Sequence, residues 1–380
     1  MSNSSPVRIQ SDDALQDQHG LSYSPALDGL RGVAILAVVG VNAEWPFLAG
    51  GFFGVDVFFV LSGFLITTLL LTEWKQRGEI NLRRFFARRA LRLMPALIAL
   101  LAFSCIYTYF FRSPEQRGAA FTIVASALFY ISNWVIGVGN VHGTLEHTWS
   151  LGVEGQFYLL GAGFIAFALR RAVGLSQMIG WCIGAIAVVV SWRAIFWEQA
   201  PGVMRVYMGL DTRADSLLIG CLVAFTRESK MGGAIFTLCS HARWLLPIAW
   251  LVLVVSFVAT PGVGVSYPYL GGFTIVSLAT AVILRFALSE SRDVSSRLLS
   301  SPLLVWFGRI SYSLYLWHVP LKNVFSVDRL VPYTKSTIAA EICRFAIFVG
   351  VACGSYYCIE RPFLRLKVLL TDRPRVECLP

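Results

Sequence analysis

The sequence predicts an all-α fold: a polytopic membrane helix bundle of about ten transmembrane helices plus one re-entrant or interfacial helix. Of its 380 residues, 56% are hydrophobic and only 14% are charged, and the mean hydropathy is +0.65. Soluble domains carry about a quarter charged residues. Apolar stretches of about twenty residues recur, and helices satisfy their own backbone groups inside lipid. These observations exclude a soluble enzyme, a secreted disulfide scaffold and a disordered chain.

Hydrophobic runs divide the chain into eleven apolar segments. They cover 28–48, 51–73, 93–111, 119–138, 149–169, 176–197, 212–226, 244–260, 270–288, 302–323 and 337–358. Basic residues gather beside them, most densely in loop 74–92 and in the C-terminal tail. The positive-inside rule therefore puts both termini in the cytoplasm, which requires an even number of crossings. Segment 119–138 begins and ends on the same side in this count, so we predict that it does not cross.

Three regions follow from this organisation: a polar cytoplasmic tail over 1–26, a transmembrane domain over 27–366 and a cytoplasmic tail over 367–380. The first tail lacks the apolar core of a signal peptide. The net charge of +10 comes from short loops beside apolar spans, which argues against nucleic-acid binding. The eight cysteines form no Cys-x-x-Cys pair, so we expect neither a disulfide framework nor a metal site.

Two stretches carry polar groups that are unusual for a membrane. Asp56 lies in the glycine-rich stretch 51–64, where the glycines allow neighbouring helices to approach closely. An ionisable residue inside the membrane is a functional candidate, and a buried salt bridge is the alternative. The stretch 83–95 holds arginines that recur at helical spacing along one face. Guanidinium groups suit phosphate, so a phosphate-bearing ligand and lipid headgroups are both open.

The segment 147–158 combines a histidine, a tryptophan and two polar side chains inside an apolar run. Trp149 is typical of a membrane-interface anchor. Glu154 could orient or charge-stabilise a catalytic group. His147 is either a candidate base or a solvated loop histidine. His318, further along the chain, fits helix packing or a membrane interface better than catalysis.

Together, these stretches resemble the membrane acyltransferase-3 family. The match keeps the family's order from about residue 25 to 366, through 27–32, 51–64, 83–95, 147–151, 212–218, 310–320 and 360–362. The resemblance implies a multi-pass cell-membrane enzyme that moves an acyl group, often acetyl from cytoplasmic acyl-CoA, to a hydroxyl. The acceptor would be an extracytoplasmic glycan or glycolipid, or a natural product such as a macrolide. Some members carry an added soluble esterase-like domain, which we do not expect here.

The resemblance also implies roles for particular residues. Acyl-CoA is expected as a co-substrate, with no permanently bound cofactor and no metal. Its phosphates would meet the cytoplasmic arginines, and Arg31 would contact donor phosphate or pantetheine. The donor-binding set is Arg31, Arg84, Arg88, Arg89 and Arg92. The catalytic candidates are Asn42, Asp56, His147 and Glu154, and the substrate-binding candidates are Trp149, Arg213 and Asp215.

The first helix departs from the family pattern at one position. The family has an Arg followed eleven residues later by a His taken to be catalytic; Arg31 fits, but position 42 is Asn. A carboxamide has no usable basicity near neutral pH. Three alternatives stay open: an inactive form, a chain in which Asn42 only positions substrate while another group is the base, or a drifted function. His147 and Glu154 are the nearest replacement bases.

A transporter or non-catalytic binding protein is the competing class, because it could use the same buried charges. Transporters often show internal repeats with interrupted helices in both halves. Here the glycine-rich stretch and the arginine cluster each occur once, which disfavours transport.

Overall fold

The structure is a computed structural model, which describes residues 23–139, 141, 143–199, 202–229, 243–289 and 293–369. Nearly all of the two predicted tails, 1–26 and 367–380, lies outside the residues whose side chains are described. The described residues form helices and connecting turns, with no strand among them. The predicted all-α class is confirmed.

The first half of the chain forms α1 Pro25–Asn42, α2 Gly54–Arg77, α3 Leu82–Phe111, α4 Pro114–Leu128, α5 Ser132–Gly139, α6 Trp149–Arg170, α7 Leu175–Gln199, α8 Val203–Met208 and α9 Leu210–Glu228. The second half forms α10 Leu245–Ala259, α11 Phe273–Ala287, α12 Val294–Leu299, α13 Pro302–Arg309, α14 Ser311–Val324, α15 Val327–Thr334, α16 Thr337–Ser355 and α17 Arg361–Leu369. The 3-10 turns Gly51–Phe53 and Glu146–Thr148 lead into α2 and α6.

Seven helical stretches in the described residues are long and apolar enough to cross a membrane. They are Pro25–Asn42, Gly51–Arg77, Leu82–Phe111, Glu146–Arg170, Leu175–Gln199, Pro268–Ala287 and Thr337–Leu366. The polytopic character is thus confirmed, whereas the count of ten crossings stays a prediction. The helices α9, α10 and α14 match further predicted segments but are more polar or shorter.

Two predicted segments are interrupted in the structure. The stretch 119–138 forms the separate helices α4 and α5, because the chain turns between them at Tyr130, whose φ is 57°. Neither helix reaches the length of a membrane span, which is consistent with a segment that does not cross. The stretch 302–323 divides into α13 and α14 at Ile310.

The chain reverses direction after the first helix and again after the second. The helix α2 ends at Gly78, which adopts the left-handed φ of 70° that favours glycine. Asn81 then caps α3 by accepting a hydrogen bond from the Arg84 backbone N–H, at 3.0 Å. Since α1, α2 and α3 alternate in direction, α1 and α3 begin at the same end of the bundle. We call this the arginine end, and the opposite one the Asn42 end.

Glycines bring α2 and α9 into close contact. A Cβ atom added at Gly63 would collide with the carbonyl oxygen of Leu217, and one at Gly220 with that of Val60. The same small-residue packing seats α1 against α13 through Gly32 and Gly308. These contacts confirm the close approach expected from the glycine-rich stretch, and the span that contains α2 is the most buried of the seven candidate spans.

Candidate active site

A polar pocket lies between α1, α2, α3, α6 and α14, toward the arginine end. Its polar groups come from five different helices, and apolar side chains complete the walls. The lining polar residues are Arg31, Ser62, Arg89, Arg92, Ser150, Glu154, Tyr158, Ser311, Tyr312 and Tyr315. Three arginines therefore face one carboxylate in this pocket.

Glu154 is held in the pocket by two hydroxyl groups. Ser62 of α2 donates a hydrogen bond to its Oε1 at 2.7 Å, and Tyr158 donates to its Oε2 at 2.9 Å. Tyr158 follows Glu154 by four residues, so one face of α6 carries both. The carboxylate is thereby fixed in orientation between α2 and α6.

The arginine row predicted along α3 divides between two environments. Arg89 and Arg92 line the pocket together with Arg31 of α1, and the guanidinium of Arg89 lies 5.1 Å from the centre of the Tyr158 ring. Arg88 instead forms an ion pair with Glu73, at 3.2 Å. Arg84 is half-buried near the start of the helix and does not line the pocket. The structure thus brings three of the five predicted donor-binding arginines together.

The pocket is bounded toward the Asn42 end by a pair of hydroxyl groups. The Ser150 and Tyr315 oxygens lie 2.6 Å apart, and Tyr315 also donates to the backbone carbonyl of His147 at 2.7 Å. Beyond this pair lie His147 and His318, whose rings are 5.5 Å apart between centroids. His147 is only 7% exposed, so it is not a solvated loop histidine.

Asp56 belongs to a second cluster that is separate from the pocket. It accepts hydrogen bonds from Arg213 and Ser216, both at 2.8 Å. Next to it, Asp215 pairs with Arg193 of α7 at 2.8 Å and accepts a hydrogen bond from Thr274. The four charged side chains are 0% exposed. This paired-charge cluster therefore ties α2, α7, α9 and α11 together inside the bundle.

Trp149 packs against this cluster and is 4% exposed, which differs from the interface position expected for it. Its ring lies 5.5 Å from the Arg213 guanidinium and 4.8 Å from the Tyr207 ring. The Phe273 ring covers the same guanidinium at 3.6 Å. Aromatic faces attract a cation, so these rings stabilise Arg213 where it would otherwise be poorly solvated.

Asn42 ends α1 and does not line the pocket. Its side-chain amide donates to the backbone carbonyl of Val38 in the same helix, at 2.8 Å. In the loop that follows, Glu44 accepts a hydrogen bond from Lys322 of α14 at 2.6 Å, and this bond lowers the pKa of the carboxyl. The ends of α1 and α14 therefore meet next to position 42.

Sequence reasoning missed several of the groups that build these sites. The sequence does not single out Ser62, Tyr158 or Tyr315, although Tyr158 lies one helical turn from Glu154. Arg193 was also missed; the available signal was a lone arginine within the apolar segment 176–197. Ser62 and Tyr315 carried no such signal, because serine and tyrosine are common in membrane helices.

The fold and pocket define a polytopic helical membrane protein with a cationic pocket between its helices. Comparison with protein families narrows this class. Residues 24–358 match the acyltransferase domain family, so the chain belongs to that family and to its class of acyltransferases. The resemblance found in the sequence is confirmed.

Relatives with assigned names agree with this membership. Peptidoglycan O-acetyltransferase OatA of Listeria monocytogenes is 32% identical over 356 residues, which cover 91% of this chain and 56% of that protein. O-acetyltransferase OatA of Staphylococcus aureus strain NCTC 8325 is 33% identical over 364 residues, covering 92% of this chain and 58% of that protein. The chain thus spans a little over half the length of these relatives. No solved structure is significantly similar to it.

Proposed function

We propose that the protein is a membrane O-acyltransferase that moves an acetyl group from acetyl-CoA to a hydroxyl of a cell-surface glycan. The observation that carries this proposal is the pocket in which Arg31, Arg89 and Arg92 face Glu154. The family of the chain supports acyl transfer. The names of its relatives support acetyl as the group and a glycan such as peptidoglycan as the acceptor.

The arginine end of the pocket suits the donor. Acetyl-CoA carries phosphates, and guanidinium groups bind phosphate through paired, charge-assisted hydrogen bonds. Three arginines and one glutamate line the pocket, so the charged groups that a ligand meets there are mostly cationic. This lining favours an anionic ligand. In the proposed orientation, the arginine end and both termini face the cytoplasm, where acyl-CoA is made.

The transfer itself needs a hydroxyl nucleophile and a leaving thiolate. The acceptor oxygen attacks the thioester carbonyl carbon, the C–S bond breaks, and the proton of the hydroxyl ends on the sulfur of CoA. Ser62 and Tyr158 fix the Glu154 carboxylate. In the proposed reaction, the thioester lies beside this carboxylate. Holding the two reactants in place supplies part of the rate acceleration.

The test is transfer of labelled acetyl from acetyl-CoA to peptidoglycan fragments by the purified chain in lipid nanodiscs. The Arg89→Gln variant removes one cation from the pocket, and Arg171→Gln removes an exposed one after α6. We expect product with the unmodified chain and the Arg171 variant, and about a tenfold to hundredfold loss with the Arg89 variant. Absence of any acetylated glycan, together with no binding of acetyl-CoA, would overturn the proposal.

A further inference from the structure

Two buried imidazoles lie just beyond the pocket, on the side of the Asn42 end. His147 is 7% exposed and His318 is 0% exposed. The Tyr315 ring lies 5.5 Å from the first and 5.6 Å from the second. The hydroxyl of Tyr315 reaches Ser150 in the pocket wall. The histidine pair is therefore adjacent to the pocket, and Tyr315 lies between the pair and the pocket.

The backbone fixes which nitrogen of each ring carries the proton. His147 Nε2 lies 3.0 Å from the carbonyl oxygen of Leu316. His318 Nδ1 lies 2.7 Å from the carbonyl oxygen of Tyr315. A carbonyl oxygen only accepts hydrogen bonds, so each of these nitrogens is the N–H donor. In an uncharged ring, the other nitrogen, His147 Nδ1 or His318 Nε2, then holds a lone pair.

Both lone-pair nitrogens lack a hydrogen-bond partner among the described residues. Leaving a buried acceptor unpaired costs about 1–3 kcal/mol, so two such atoms in one place point to a missing donor. The donor must bring its own O–H or N–H group. Each hydroxyl group donates one hydrogen bond, so a ligand with several hydroxyls meets this requirement at both nitrogens.

The position of the pair matches the second substrate of a transfer reaction. One face of α6 carries Tyr158, Glu154 and Ser150 in successive turns, followed by His147 just before the helix begins. The facing helix α14 carries Tyr315 and then His318 one turn later. A continuous row of polar groups thus leads from the arginines to the histidines. A donor in the pocket and an acceptor at the pair would meet along this row.

We propose that His147 and His318 form the acceptor-hydroxyl site, and that one of their lone-pair nitrogens removes the hydroxyl proton. This inference rests on the proposed acetyl transfer. The acceptor O–H bond breaks as its oxygen forms a bond to the thioester carbon, and the proton moves to imidazole. The C–S bond then breaks, and the imidazolium returns the proton to the CoA sulfur. The pair supplies the base that a carboxamide at position 42 cannot.

The first experiment compares His318→Ala with Leu321→Ala. Leu321 lies one turn further along α14 and is 4% exposed, so its variant opens a cavity without removing an imidazole. General-base catalysis is worth about 10²–10⁴-fold. We expect the His318 variant to lose at least about a hundredfold in transfer while acetyl-CoA binding stays within about twofold, and added imidazole to restore part of the rate. Leu321→Ala should lose less than about threefold in transfer.

Equal losses in the two variants, or a loss of donor binding along with transfer, would overturn the site. The site would also be overturned if the His318 variant transferred acetyl as fast as the unmodified chain and did not respond to added imidazole. His147→Ala is a second, independent variant. It should also lose acetyl transfer while acetyl-CoA binding is retained.

The second experiment does not depend on turnover. In membranes of ¹⁵N-histidine-labelled protein, His147 should carry its proton on Nε2 and His318 on Nδ1. A peptidoglycan disaccharide added without acetyl-CoA should shift the resonances of the two unprotonated nitrogens. Unchanged resonances at saturating disaccharide would overturn the acceptor site. Failure of acetyl transfer with a normal resonance shift would instead overturn the proposed donor chemistry.

Discussion

Two clusters of buried charge lie in the same bundle, and they differ in how their charges are balanced. In the paired-charge cluster, Asp56 meets Arg213 and Asp215 meets Arg193, with every side chain 0% exposed. In the pocket, the arginines outnumber the single carboxylate and face a cavity. Balanced pairs hold helices together, whereas excess charge beside a cavity can bind a ligand. Burial of a charge alone does not separate these roles.

The largest expected effect comes from breaking a pair in the balanced cluster. Arg213→Met leaves the Asp56 carboxylate buried without its partner, which costs about 3–5 kcal/mol in the free energy of unfolding. Denaturation in mixed micelles measures this loss. The double variant Asp56→Leu with Arg213→Met should recover most of it, because no lone charge remains. A double variant as unstable as the single one would show that the pair is not a structural unit.

Glu154→Gln changes the carboxylate of the pocket. The amide keeps one oxygen for Ser62 or Tyr158 but presents an N–H₂ group where the second hydroxyl donates. We expect kcat to fall about tenfold to hundredfold while acetyl-CoA binding is retained, because the positive excess of the pocket grows. Steady-state kinetics measures kcat, and a parallel titration measures acetyl-CoA binding. Weakened donor binding at unchanged kcat would contradict this role.

Asn42→His tests a position outside both clusters. The side chain bonds to its own helix, so we expect acetyl transfer to change by less than about threefold, that is, by less than about 0.7 kcal/mol. The measurement is the same labelled-acetyl transfer, beside Asn42→Gln as a size control. A rise of about a hundredfold with His alone would identify position 42 as the base and the chain with Asn42 as an impaired form.

The smallest effect belongs to the loop pair Glu44–Lys322. Glu44 is 77% exposed, so solvent screening limits the pair to less than about 0.5 kcal/mol. Because the Lys322 hydrogen bond lowers the pKa of Glu44, its contribution is present above the ordinary carboxyl pKa and is lost as pH falls through the lowered value. Lys322→Met should remove this pH dependence of stability. Thermal unfolding in a series of buffers that extends below the ordinary carboxyl pKa follows it, and an unchanged profile would contradict the assignment.

The sequence predicts the carboxylates of both clusters better than it predicts the residues that contact them in the fold. Asp56 and Glu154 were found because a carboxylate is costly inside an apolar segment. Their assignment to different clusters could not be predicted, since it depends on whether Arg213 or Ser62 lies opposite in the folded bundle. The glycine contacts of α2 were expected from Gly63 and its neighbours, whereas the partner helix α9 was not.

The histidines illustrate the same limit. The sequence alone makes His147 a candidate base and favours helix packing for His318, because nothing along the chain connects the two residues. Only the fold brings the two rings within 5.5 Å between centroids and places their free nitrogens in one buried region. A constellation whose members lie 171 residues apart carries no local pattern in the sequence.

The central claim is that one row of polar groups joins a donor pocket at the arginine end to an acceptor site toward the Asn42 end. Proteoliposomes with the chain in a single, protease-mapped orientation test it directly. Labelled acetyl-CoA is supplied on one side and a peptidoglycan disaccharide on the other. We predict acetylated disaccharide only when acetyl-CoA faces the arginine end. Product formed only when both substrates share one side would contradict the account.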